Sequence, residues 1–234
     1  MRPLATQTIA PAEDDRAYFH RVFAWMATGL AVTGLVAYLV GRGSESLHAA
    51  FEAHAGPVLL ISFVVELALV AALVGLVKHM SLFEATATFL GYAALNGITL
   101  SFVFELFTAR SIFSTFLVTA AMFGALALWG YTTGADLTSW GSFLFMALVG
   151  QIVGLVVNGI WFNERLYWVT TATGVLIFSA YTAYDVQKLK QYEPPPGEPD
   201  AEVVKKDAIV GALALYLDFV NLFLYLLRIL GRRK

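Results

Sequence analysis

Of 234 residues, 59% are hydrophobic and 14% charged, against about 45–50% and about 25% in an ordinary soluble domain, which excludes a water-soluble enzyme. A formal net charge of -2 without a basic block removes nucleic acid as a partner. The absence of cysteine removes disulfides, thiol catalysis and thiolate metal sites.

In chain order, Glu13, Asp14 and Asp15 precede an apolar run of about 20 residues, longer than the core of a signal peptide, so a retained first span is expected. With Lys, Arg, Gly and Pro as punctuation, helices are expected at 22–41, 57–77, 82–104, 112–130, 140–162, 166–188 and 208–230. The reading is an all-α membrane protein: a cytoplasmic segment 1–21, a seven-helix transmembrane domain 22–230 and a basic tail 231–234. No length is left for a separate catalytic domain. Trp25, Trp140, Trp161 and Trp168 fall near span ends, where amphipathic rings anchor at the headgroups. Two connections are long: 42–56, with His48 and His54, and 189–207, where Pro194, Pro195, Pro196 and Pro199 favour an extended path.

A cytoplasmic N-terminus places Arg2, Arg16, Arg21, Lys78, Lys188, Lys190, Lys205 and Lys206 inside, against Arg42, Arg110 and Arg165 outside. The tail cations Arg232, Arg233 and Lys234 oppose this if the last segment crosses fully, and full crossing is preferred to a re-entrant end. Gly150 with Gly154, Gly29 with Thr33, and Gly211 with Ala214 have the spacing that lets membrane helices approach closely.

An ionisable group at the bilayer centre costs several kcal/mol and marks a candidate functional site. Glu66 and Asp218 lie near the middle of the second and seventh spans. Asp185 lies near the cytoplasmic end of the sixth, just before Lys188. Asp218 shares a stripe with Gly211, Ala214, Asn221 and Tyr225, Asp185 shares one with Tyr181, Phe178 and Gly174, and the fifth helix aligns Gln151, Gly154 and Asn158. Polar side chains on three helices point to a polar bundle interior, either joining the helices or lining an ion path. Two adjacent carboxyls can share a proton and so respond to pH. Ionised, Asp185 and Asp218 also make a weak site for a hard cation such as Ca²⁺, completed by carbonyls and water. Lys78 is a candidate gating cation. The histidines His20, His48, His54 and His79 show no zinc spacing, and no cofactor is expected.

Asn96-Gly-Ile-Thr-Leu-Ser101, Gly130-Tyr-Thr-Thr-Gly-Ala-Asp-Leu137, Tyr181-Thr-Ala-Tyr-Asp-Val-Gln-Lys-Leu-Lys190 and, above all, the run from Gly211 to Gly231 around Leu-Asp218-Phe resemble the Bax inhibitor family in its bacterial branch. The resemblance runs from about residue 20 to the C-terminus. It implies a last helix enclosed by the other six, in a bacterial inner membrane, and a pH-sensitive calcium leak with Asp185 and Asp218 as sensor and Glu66 as supporting acid. In relatives an arginine near the cytoplasmic end of the second helix closes the pore; here Val77 and Lys78 stand nearest, and lysine lacks the bidentate fork. Arg110, and Gly134 with Ala135, also depart from the family pattern. Alternatives are a regulatory partner of a membrane protease or of cell-death machinery, and a proton-coupled cation antiporter. An intramembrane aspartyl protease would need Gly-x-Gly-Asp where Leu215-Tyr-Leu-Asp218 stands, so no enzymatic activity is expected.

Overall fold

The computed structural model describes residues 12–41, 55–192 and 201–234. The 42–54 part of the first long connection, with His48 and His54, and the proline run at 194–199 lie outside the described residues. The described residues form seven long helices: α1 (Ala12–Gly41), α2 (Ala55–Leu76), α3 (Leu82–Leu100), α4 (Ala109–Thr132), α5 (Gly141–Ile160), α6 (Glu164–Lys190) and α7 (Ala201–Leu230). Six are long and apolar enough to cross a membrane; α6 is the exception. Its buried positions include Thr170, Thr171, Thr182 and Gln187, so it turns a polar face to its neighbours. The expected third span is broken after Leu100, and a separate turn, Val103–Leu106, leads into α4. The expected first and last spans extend further toward the N-terminus than composition indicated, to Ala12 and Ala201.

Side-chain caps define several starts. Ser81 and Glu84 close a reciprocal capping box on α3. Thr108 caps α4, and Asn163 Oδ1 accepts the Leu166 N–H of α6. Outward faces carry large apolar side chains, among them Leu60, Phe83, Phe143, Phe162 and Leu176. Such a belt suits hydrocarbon rather than water.

Helix α7 differs from the other spans. The apolar window of α7 is 72% buried, against 11–28% in the other five apolar helices. It buries residues on several sides, including Ile209, Leu213, Tyr216, Phe219 and Leu222. It packs along α1, α3, α4 and α6, and Tyr225 also meets Gln151 of α5. Its two ends are tied to opposite ends of α3. Near the start, Lys206 Nζ donates to Met80 O (3.0 Å) and the Leu82 N–H donates to Glu202 (3.2 Å). Past the other end, Thr108 N donates to Arg232 O and Lys234 N to Leu106 O, both at 3.1 Å. The tail is thus docked on the α3–α4 connection, so α7 runs the length of the bundle and does not fold back.

At the end where α7 begins, the ring of Tyr192 stacks on Tyr18 and its hydroxyl donates to Asp207. Burial, reinforced by that carboxylate, holds the Tyr192 phenol above its ordinary range. The α4–α5 connection at this end is clamped by α6. Leu137 N donates to Gln187 Oε1 (2.7 Å), and Gln187 Nε2 donates to Ala135 O (2.8 Å). Gln187→Ala removes both bonds from a buried site, a loss of about 1–3 kcal/mol. The expected readout is a lower thermal midpoint in detergent with faster amide exchange confined to residues 133–137. In the same connection the exposed Asp136 accepts from the Thr138 amide (2.9 Å) and hydroxyl (2.5 Å), which hold its carboxyl below the usual carboxylate range. Because the folded value is the lower one, this turn is fully supported above the ordinary Asp value of about 3.9 and loosens as pH falls through the folded value. Protection of the Thr138 amide should follow that order in a pH series of hydrogen exchange.

Candidate functional site

The register of α6 against α7 is set by small residues. A Cβ at Gly174 would lie 2.5 Å from the Tyr225 ring, and one at Gly211 would lie 2.7 Å from Leu189. Between these two close approaches, on the facing stripes of antiparallel helices, stand Asp185 and Asp218. Asp218 is 4% exposed and Asp185 partly buried, and the two carboxyls lie within electrostatic reach of each other. An ionised carboxylate only accepts, so two such carboxyls can hydrogen-bond only when one of them carries a proton. Oδ2 of Asp218 is buried without a partner.

The cation whose charge acts on Asp185 is Lys188, exposed nearly one turn further along α6. Lys78, in the single turn after α2, is exposed. Tyr181 lies within electrostatic reach of both carboxyls. Asn221 Nδ2 donates to Leu217 O of its own helix (2.8 Å). Asn158 Oδ1 accepts the Asn163 N–H (2.8 Å), which joins the end of α5 to the start of α6 rather than reaching the aspartates.

Glu66 belongs to a second cluster. Its carboxylate accepts from Thr99 Oγ1 (2.7 Å) and acts electrostatically on Tyr92 and Tyr216. Tyr216 also bonds Thr33 at 2.6 Å, and Thr33 donates to Ala93 O at 2.8 Å. Residues 216 and 218 are about 200° apart around a helix of 3.6 residues per turn. Glu66 and the aspartate pair therefore occupy opposite faces of α7. Within the second cluster Asn96 Oδ1 is buried without a partner.

Gln151 joins three helices: its amide donates to Thr170 O (2.6 Å) and Tyr225 Oη (2.8 Å) and accepts from Thr173 Oγ1 (2.9 Å). Of the buried polar groups, Gln151 was legible as part of a polar stripe. Gln187 and the Thr33–Tyr216 contact were not, because their partners lie 50 and 183 residues away in the chain.

The family model described as inhibitor of apoptosis-promoting Bax1 matches residues 15–234. The chain belongs to the Bax inhibitor family. It is 42% identical to the inner membrane protein YbhL of Escherichia coli K12, over 99% of this chain and 98% of that one. A protein of Borreliella burgdorferi is 38% identical over 93% and 92% of the two chains, and RP147 of Rickettsia prowazekii 36% identical over 95% and 92%. With its apolar helices, this makes the chain a multi-pass protein of the bacterial inner membrane. In this Bax inhibitor family member, no three His, Asp or Glu side chains among the described residues gather as a metal-binding group. Asp185 and Asp218 offer two carboxylates of the 6–8 oxygens that Ca²⁺ takes.

Proposed function

We propose that this protein is a passive, pH-sensitive calcium leak in which the proton between Asp185 and Asp218 controls the packing of α6 on α7. The placement of the two carboxyls on facing stripes of α6 and α7, within electrostatic reach of each other, carries the reading. With one proton the pair is a hydrogen bond; with none it is two like charges pressed together in low dielectric, and the helices that carry them are driven apart. A site of so few carboxylates binds weakly enough to release the ion, as permeation requires. In this reading α6 also crosses the membrane, α7 is the helix enclosed by the others, and the end that holds Lys78, Lys188 and Lys190 is cytoplasmic with the N-terminus.

The test is calcium entry into dye-loaded proteoliposomes between pH 5 and 8. A downhill flux whose pH dependence vanishes in Asp218→Asn supports the leak. Saturable flux coupled to proton movement points instead to an antiporter. No flux at all, with a membrane protease retained on purification whether or not both aspartates are present, points to a regulatory role.

A further inference from the structure

We infer that the crevice between α1 and α4 binds an anionic phospholipid, with one acyl chain in the crevice and the phosphate at its mouth. The inference rests on membrane insertion and not on calcium transport.

Helix α1 packs along α3 and α7, and beside α4 a cavity of about 460 Å³ remains. That volume lies in the range of small-molecule sites. Phe19 forms one wall, Gly124 and Ala127 keep the α4 wall low, and Val186 of α6 closes the back. A Cβ at Gly124 would meet nothing within 4 Å, so the slot is open beside it. From Gly124 to Tyr131 is about 10 Å of helical rise, about two thirds of the depth of one leaflet's hydrocarbon. An acyl chain lying there exchanges lipid neighbours for aromatic and small side chains.

The mouth is polar and basic. His20 and Tyr131 line it. Lys190 Nζ donates to Tyr131 O (2.8 Å) and sits 5.0 Å from the centre of the Tyr131 ring, which fixes the ammonium at the rim. That bond uses one of its three donors and leaves two for a phosphate. Among the described acids of this end, Asp136 accepts from Thr138, Asp207 from Tyr192, Glu202 from the Leu82 amide and Glu84 from Ser81, while Asp185 faces Asp218. An apolar slot at leaflet depth under a cationic rim complements an anionic lipid better than a zwitterionic one.

The test uses the purified full-length chain, delipidated in detergent and titrated at pH 7 with phosphatidylglycerol or phosphatidylcholine of identical chains, read by native mass spectrometry. Phosphatidylglycerol should be retained preferentially, one per chain. Lys190→Ala should weaken that retention about fivefold and leave phosphatidylcholine unchanged. Gly124→Phe should fill the slot and remove the bound lipid. Equal retention of the two lipids, or retention unchanged by Gly124→Phe, overturns the assignment. In the unaltered protein a photoactivatable phosphatidylglycerol should crosslink within residues 19–23 and 124–131; labelling only elsewhere also overturns it.

Discussion

Asp218→Asn should lower calcium flux by about 10–100-fold at the pH where the unaltered protein is most active and leave a curve that no longer changes between pH 5 and 8. Asparagine has nearly the same shape as aspartate, but its amide donates a hydrogen bond at every pH. Opposite an ionised Asp185 that bond is charge-assisted, worth about 1.5–3 kcal/mol. The α6–α7 contact, which in the unaltered protein needs a proton, would then persist without one. Each 1.4 kcal/mol shifts an equilibrium about tenfold, which sets the expected size. Asp185→Asn should act in the same direction. Lys188→Ala should move the midpoint of the pH curve, because Lys188 is the cation acting on Asp185. Lys78→Ala should leave the curve in place, because that side chain is exposed after α2. If the curves of both Asn variants overlay that of the unaltered protein, the aspartates are buried acids of structural use only.

Gly130→Ala should cost about 1–3 kcal/mol and lower the thermal midpoint by about 2–12 °C, although it adds one methyl group. The new Cβ would lie 2.4 Å from Ala183 O and 2.8 Å from Ala183 Cα. Both obstacles are backbone atoms of α6, so no rotamer change relieves them and the two helices must separate. The buried stripe of α4, Ser111, Thr115, Thr119, Phe123, Ala127 and Gly130, repeats every three or four residues and ends at this contact. Gly150→Ala is the matched control: a Cβ there meets nothing within 4 Å, so stability should change by no more than about 0.5 kcal/mol. Equal effects at the two sites would show that helix propensity, not close approach, decides the cost.

The glycine comparison also shows how far spacing can be read. Gly150 and Gly154 form a small-residue pair at packing distance, yet only Gly154 faces a neighbour, with Thr170 Cγ2 at 3.0 Å from its would-be Cβ. Spacing defines a stripe but not which helix lies against it. Gly130 likewise has a small partner one turn away, Ala127, but the helix it meets appears only once α6 is in place.

Composition alone determined that the chain is an all-helical membrane protein, because long apolar runs have no other stable solution in hydrocarbon. The cost of burying charge singled out Glu66 and Asp218, and their depth is a property of one helix at a time. What joined Asp185 to Asp218, and parted both from Glu66, was tertiary: the antiparallel register pinned at Gly174 and Gly211, and the 200° turn between Tyr216 and Asp218 around α7. The docked tail was likewise beyond sequence, since its hydrogen bonds run from Arg232 and Lys234 to the α3–α4 connection, more than 120 residues earlier. Helix α6 marks the boundary between the two kinds of knowledge. It buries threonines and a glutamine against its neighbours, and a polar face reads the same in one sequence whether it meets water or another helix.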